Sequence, residues 1–312
     1  MNIGNLNLKN NILLAPMSGV TDFPFRNIVK KFQPGLVFSE MIASRSLLDK
    51  NKKTMKKIKK DSNDLYAIQI AGCESSIMSE AAKICEDAGA DIVDINMGCP
   101  VKKVVNGYAG SALMRNEKLA FSIIEAVVNA VNVPVTLKMR KGWDDTSLNA
   151  PKIANFAESA GIKMITIHGR TRCQMFKGNS DWVFVKKVKD IVDIPVVVNG
   201  DIKNHSDLLK SLNDSNADGL MIGRGTYGRP WIFKQINSEI DELNENSINI
   251  KDIILEHFDS VLEHYDIEIG IKTFRKHLCW YSKSIENSNE FRKKINMCTE
   301  PNKIRVFIND FF

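Results

Sequence analysis

Eight short apolar, β-branched runs recur through the first 222 residues, each parted from the next by a stretch of helical character. They are Ile12 to Ala15, Leu36 to Phe38, Tyr66 to Ile70, Asp91 to Ile95, Pro134 to Lys138, Met164 to His168, Pro195 to Asn199 and Gly219 to Ile222. Strands that alternate with helices pair in parallel, because a parallel neighbour is reached only by a long crossover. Ala88-Gly89, Val133-Pro134, Ala160-Gly161 and Ile194-Pro195 stand just ahead of four of the runs, where a helix should end and a buried strand begin. Eight such units predict an α/β chain folded as a (β/α)8 barrel; a doubly wound sheet has the same periodicity, which does not report closure.

After Trp231 the pattern becomes helical only. Ile253 to Tyr265 and Gly270 to Ser284 carry apolar residues at spacings of three and four, and the polar stretch Asn244 to Asn249 reads as a linker. The expected organisation is a barrel over residues 1–243 and a helical domain over 244–312. A length of 312 residues suits a barrel of about 250 residues with a small appendage. Met1 to Asn11 has no basic stretch followed by a long apolar run, and no window approaches the roughly 18 apolar residues of a membrane span, so a cytoplasmic, non-membrane protein is expected. Six cysteines, at 73, 85, 99, 173, 279 and 298, include no Cys-x-x-Cys pair, which argues for free thiols over a disulfide framework or zinc ribbon.

The net charge of +6 is modest, but its distribution is uneven. Between Lys272 and Arg305 nine Lys or Arg face three acids, and Lys50 to Lys60 holds seven lysines in eleven residues. The first cluster interleaves with aromatics in Phe274-Arg275-Lys276-His277-Leu278-Cys279-Trp280-Tyr281, a composition suited to nucleic-acid backbone and bases, although helix core is an equal reading for Trp280. The second reads first as a solvated helix face.

Three features carry chemistry. Asp94-Ile95-Asn96-Met97-Gly98-Cys99-Pro100 puts a cysteine on a tight turn at the carboxyl end of the fourth strand, where barrels place their active sites. Gly223-Arg224-Gly225-Thr226-Tyr227-Gly228 fits a dinucleotide fingerprint, yet no second strand with an acidic residue follows. In a barrel, glycines after the eighth strand, with Asn199-Gly200-Asp201 after the seventh, instead make a phosphate site. Gln69, Lys138 and His168 lie at the ends of strands that should be apolar, and such groups are costly there unless a polar ligand satisfies them.

Together with Ala15-Pro16-Met17-Ser18-Gly19-Val20-Thr21-Asp22 and Phe25-Arg26, these motifs closely resemble the tRNA-dihydrouridine synthases, in particular the bacterial, FMN-dependent, B-type branch. The resemblance spans nearly the whole chain and favours the closed TIM barrel. It implies FMN held by Pro16, Met17 and Ser18, by Gln69, Lys138 and His168, and, at its phosphate and ribityl part, by Asn199, Gly200, Asp201, Gly223 and Arg224. It implies NADPH or NADH as a transient reductant, and a uridine of the tRNA D-loop as the substrate whose 5,6 double bond is reduced. Cys99 would be the catalytic acid and Asn96 would meet the substrate base. A thiol carries its proton at neutral pH and can supply it to carbon.

The Arg-Lys-His…Trp-Tyr helix resembles the tRNA-binding helix of that branch; the Gly-Pro loop usual after it is replaced by Ile285-Glu286-Asn287-Ser288-Asn289. No membrane or metal partner is expected, since His257 and His264, seven apart, lack a third ligand, and the protein is expected to be a monomer. Two rivals are an FMN-barrel reductase of a small molecule, of dihydroorotate or enoate type, and a flavin-containing RNA-binding regulator without activity. The basic tail disfavours the first; an intact Cys99, Lys138 and His168 disfavour the second. Cys73 and Cys173 also follow strands, without the Gly-Cys-Pro setting.

Overall fold

A computed structural model describes residues 1–58, 60, 64–237 and 248–312. Eight parallel strands close into a ring: β1 (Ile12–Leu14), β2 (Leu36–Phe38), β3 (Tyr66–Ala71), β4 (Ile92–Met97), β5 (Val135–Arg140), β6 (Met164–His168), β7 (Val196–Asn199) and β8 (Gly219–Ile222). Each strand pairs with its sequence neighbours, and Leu220 opposite Ile12 joins β8 to β1. The fold is a TIM barrel: the alternation predicted the eight strands, and the closure is the one the resemblance favoured.

All eight predicted runs are strands. Two of them outlast the apolar pattern: β4 runs on through Asn96 and Met97, and β5 through Met139 and Arg140. The pairing Asn96 with Lys138 and Arg140 with His168 keeps these polar positions in the ladder, so hydrogen bonding and not hydrophobicity sets the strand ends.

Side chains alternate across a strand, and the alternation divides this barrel into two environments. Ile68, Ile70, Val93, Ile95, Leu137, Met139, Ile165 and Ile167 occupy one face and are all fully buried. The other face begins, at the amino end, with Ala67, Ile92, Met164, Val197 and Met221, which join Leu13, Leu36 and Phe38 in one apolar cluster. Ile3 and Leu8 complete that cluster from a small antiparallel hairpin, Asn2–Ile3 with Leu6–Asn7, turned by Gly4 at φ +58°. Farther along the same face come Gln69, Asp94, Asn96, Thr136, Lys138, Thr166, His168 and Asn199, all buried. The interior is apolar at its amino end and polar at its carboxyl end.

Helices Ser75–Asp87, Glu117–Val128, Ala150–Ser159, Trp182–Lys189 and His205–Ser215 follow β3 to β7. Asn116 and Asp181 cap two of them, accepting from the amides of Leu119 and Phe184.

A second compact unit comprises residues 19–33, 203–205 and 224–312. Its described helices include Phe23–Lys30, Ile250–His264, Ile267–Tyr281, Ser288–Met297 and Pro301–Phe311. Asp22 caps the first of these through the amide of Phe25 and accepts the Tyr265 hydroxyl on its other oxygen. Phe258, Phe274, Leu278, Phe291, Ile295, Ile304 and Ile308 form its core. The expected junction between 243 and 244 lies outside the described residues. Among the described residues no helix is long and apolar enough to cross a membrane.

Candidate active site

The polar end of the barrel is built from consecutive inward positions of β3 to β7. Thr136 Oγ1 donates to Asp94 Oδ1 at 2.6 Å, and Gln69 Nε2 donates to Asp94 Oδ2 at 2.7 Å. Asn96 Nδ2 in turn donates to Gln69 Oε1 at 2.7 Å. Asn96 Oδ1 accepts the amides of Gly98, at 3.2 Å, and Cys99, at 3.0 Å, closing an Asx turn that presents Cys99 just past the end of β4. The turn is braced from behind: Ser111 Oγ donates to the Cys99 carbonyl at 2.8 Å. A Cβ at Gly110, which has φ +62°, would fall 2.9 Å from that carbonyl, so only glycine fits there.

Lys138 is buried and donates to Asn199 Oδ1 at 3.0 Å; Asn199 Nδ2 donates to the Met221 carbonyl at 2.7 Å. Burial, then the charge of Arg140, brings the Lys138 ammonium down to about 8, while Asp94 and Cys99 act in the opposite sense. Burial pushes the Asp94 carboxyl up to about 7 against the bonds from Thr136 and Gln69 and the charge of Lys138. An acid raised and a base lowered to near neutrality in one enclosed space are what a reaction site requires of its titratable groups.

The loops beyond β6 and β7 are pinned by Arg170, itself 2% exposed. It pairs with Asp201 Oδ2 and donates to the carbonyls of Lys177, at 3.1 Å, and Gly178, at 2.6 Å. Asp201 stands at φ +60° and also accepts the Ser180 amide at 2.8 Å. A Cβ at Gly200, at φ +117°, would lie 2.4 Å from Ser180 Oγ and 2.8 Å from the His168 ring, so the chain passes there without room for a side chain. Trp182 Nε1 holds the Gly200 carbonyl at 2.9 Å.

The expected site residues therefore divide. Gln69, Asn96, Lys138, His168 and Asn199 share the inward face of the barrel, with Cys99 on the turn that Asn96 organises. Asp201 has one carboxylate oxygen committed to Arg170 and Ser180. Pro16, Met17 and Ser18 follow β1, and a Cβ at Gly223, after β8, would come 3.6 Å from Met17 Sδ. Arg224 opens the 3-10 turn Arg224–Thr226 and belongs to the second unit. Cys73 and Cys173 follow β3 and β6; Cys173 is exposed.

Asp94, Thr136, Thr166, Arg140 and Arg170 were not singled out from the sequence. Asp94, Thr136 and Arg140 lie two residues from Asn96 or Lys138, so a count of every second residue along a buried strand finds them. Arg140, 1% exposed, donates to the carbonyls of Gly98 (2.8 Å), Thr171 (2.7 Å) and Met175 (2.8 Å), tying the cysteine turn to the loop after β6.

The interior fits a polar planar heterocycle. Lys138, Gln69 and the buried Thr166 hydroxyl, which has no partner among the described residues, offer donors and acceptors to such a ring.

Residues 13–310 match the family model described as Dihydrouridine synthase (Dus). The chain belongs to the dihydrouridine synthase family. It is 50% identical over 316 residues to a probable tRNA-dihydrouridine synthase of Rickettsia bellii (strain RML369-C), covering 99% of this chain and 97% of that one. It is 42% identical to tRNA-dihydrouridine synthase B of Pasteurella multocida (strain Pm70), with 100% and 96% covered. Among solved structures, a morphinone reductase mutant in complex with tetrahydroNAD superposes with a TM-score of 0.57 at 12% identity, over 76% of this chain and 89% of that one. The complex of 2-naphthoyl-CoA reductase with 2-naphthoyl-CoA gives 0.60 at 14%, over 76% and 51%. At such identities these two likenesses bear on the fold alone.

In the helical unit of this dihydrouridine synthase family member, the aromatic and basic residues expected at an RNA surface also make contacts within the protein. Phe274, His277 and Tyr281 are buried in the core, and Trp280 stacks on Tyr227 with ring centroids 3.9 Å apart. Six of the nine cations bind protein groups: Lys272 to Glu268, Arg275 to the Cys298 carbonyl, Lys276 to the Gly19 carbonyl, Arg292 to the Cys279 carbonyl, Lys303 to Glu300 and Arg305 to Asp259. Lys283, Lys293 and Lys294 are exposed.

Proposed function

We infer that the protein is an FMN-dependent tRNA-dihydrouridine synthase that uses NADPH, or NADH, to reduce the 5,6 double bond of a D-loop uridine in the cytoplasm. The observation that carries this is the family match together with Cys99 on an Asx turn beside Lys138, His168 and Asn199 at the polar end of the barrel. When bound, FMN supplies a hydride acceptor for the nicotinamide and a hydride donor for the uracil ring.

The protein's own groups do the rest. Lys138 places a positive charge where negative charge develops, and His168, Gln69, Asn199 and Gly200 frame the ring. Pro16, Met17, Ser18, Asp201, Gly223 and Arg224 hold the remainder of the cofactor, with Arg224 giving a charge-assisted contact to its phosphate. Cys99 Sγ gives its proton to one ring carbon as hydride arrives at the other; the thiolate left behind is reprotonated from solvent. Asn96 retains one Nδ2 hydrogen for the base, since Gln69 and the turn occupy the rest of its amide. Residues 244–312 serve tRNA binding, with Lys283, Lys293 and Lys294 as phosphate contacts.

The test is direct. The purified protein should be yellow, with flavin absorbance that survives gel filtration, and tRNA from cells lacking the gene should be missing dihydrouridine at a defined position. Unchanged dihydrouridine in those cells, with no bound flavin in the protein, would reject the reading.

A further inference from the structure

Asp94 opens the motif that carries Cys99, yet no part of the proposed reaction uses it. Asp94 is fully buried, and its two oxygens accept from Thr136 and Gln69. A carboxylate can only accept, so the Gln69 amide must turn its Nε2 toward Asp94 and its Oε1 away. That oxygen takes a hydrogen from Asn96 Nδ2, which leaves Asn96 Oδ1 facing the amides of Gly98 and Cys99. If either amide is reversed, two N–H groups or two oxygens confront each other. The orientation of two side-chain amides and the closure of the Cys99 turn thus follow from one acceptor-only residue at the start of the chain of bonds.

We propose that Asp94 is a positioning residue that sets the polarity of the Gln69–Asn96 amide relay and thereby holds the Cys99 turn in its working geometry. The proposal rests on the uridine-reducing reading for what the turn is for, while its geometry can be tested without it. Thr136 faces one oxygen of Asp94, Lys138 contributes its charge nearby, and the carboxyl is raised to about 7 by burial, so pH 8 keeps the acceptor-only form.

Asp94→Leu keeps roughly the shape of the side chain and removes both acceptors, so Gln69 Nε2 loses the partner that orients it. Asp94→Asn alone would not do this, because the Thr136 hydroxyl accepts as well as donates and lets the new amide turn its oxygen to Gln69. Asp94→Asn/Gln69→Glu restores the order with the roles exchanged: the carboxylate at 69 can only accept, so the amide at 94 donates to it and takes the Thr136 hydrogen on its oxygen, while the second carboxylate oxygen accepts from Asn96. Ile95→Val, on the opposite face of β4, weakens the same strand without touching the relay.

The measurement is peptide-resolved hydrogen–deuterium exchange over residues 97–101 of the full-length protein at pH 8. It is paired with stopped-flow rates of flavin reduction by NADPH and of flavin reoxidation by tRNA. Asp94→Leu should speed exchange of this segment about tenfold and slow reoxidation by a similar factor, with flavin reduction within about threefold of wild type. Exchange should return to within about threefold of wild type in Asp94→Asn/Gln69→Glu and stay there in Ile95→Val. Wild-type exchange in Asp94→Leu would overturn the relay, as would equal acceleration in Ile95→Val. If Asp94→Leu does not fold, Asp94→Asn/Gln69→Glu decides: folded with protected amides supports the relay, unfolded or unprotected overturns it. If wild-type protein forms no dihydrouridine, the functional reading fails, and the exchange data still judge the relay.

Discussion

Acid should loosen the helical unit through a pair of histidines. His257 and His277 are 0% and 1% exposed, their ring centroids are 4.7 Å apart, and Phe25 and Phe274 pack against them. His257 Nδ1 lies 3.1 Å from the Tyr281 hydroxyl, while neither Nε2 has a partner among the described residues. Burial first, and the charge of Lys276 second, push His257 from 6.5 down to about 3; burial, His257 and Lys276 push His277 well below 6.5. In the unfolded chain both rings take up protons near pH 6.5. The stability they contribute is therefore complete above about 6.5 and is lost as pH falls from 6.5 toward 3, because only the unfolded state binds the protons. At pH 4.5, two units below the unfolded value, His257 alone costs about 2.7 kcal/mol, and His277 adds to it with the same sign. That is a large part of the roughly 5–15 kcal/mol that holds a domain together. Urea titrations at pH 7.5 and 4.5, read by hydrogen exchange in residues 250–281, give the loss directly. In His257→Phe/His277→Leu the carboxylates still titrate but the histidines do not, so the pH-dependent loss should shrink by at least about 2 kcal/mol. An identical loss in the double variant would refute the assignment of acid lability to this pair.

Cys99→Ala should leave flavin reduction by NADPH near the wild-type rate and slow single-turnover oxidation by tRNA roughly 100- to 10,000-fold, the range for losing a general acid; unchanged tRNA reduction would turn attention to Cys73 and Cys173. Arg224→Ala should weaken FMN by about 1.5–3 kcal/mol, measured by equilibrium titration, and wild-type affinity would remove the phosphate contact. Replacing Lys283, Lys293 and Lys294 together by Ala should lower tRNA affinity and flatten its salt dependence by up to about 0.9 in log–log slope per lost contact, whereas unchanged binding would move the RNA surface to the Lys50–Lys60 cluster.

The strands were legible because burial on both faces leaves continuous apolar runs, and each of the eight marks a real strand. What the runs concealed was the inward face. Asp94 sits between Val93 and Ile95 and reads as an accident inside an apolar stretch, although its side chain and that of Asn96 share one direction and one network. Cys99 was legible from Gly98 and Pro100, but the Asx turn that presents it depends on which way the Asn96 amide points, and that is fixed by Gln69, 27 residues earlier in the chain. Arg170 and Asp201, 31 residues apart, are likewise joined only by folding. In the helical unit the interleaving of Phe274, His277 and Tyr281 with cations reflects a helix whose one side is core, and Arg275 and Lys276 also bond the carbonyls of Cys298 and Gly19, which composition alone does not reveal. The amino-terminal hairpin escaped notice because its two-residue strands are shorter than any periodicity can register.

The decisive experiment is a single-turnover reaction between the NADPH-reduced, flavin-loaded full-length protein and unmodified tRNA, with the product nucleosides identified by mass spectrometry. Dihydrouridine should appear at one D-loop position, in step with flavin reoxidation and in equal amount. Flavin that reoxidises without forming dihydrouridine, or stays reduced in the presence of tRNA, would contradict uridine reduction as the function of this barrel.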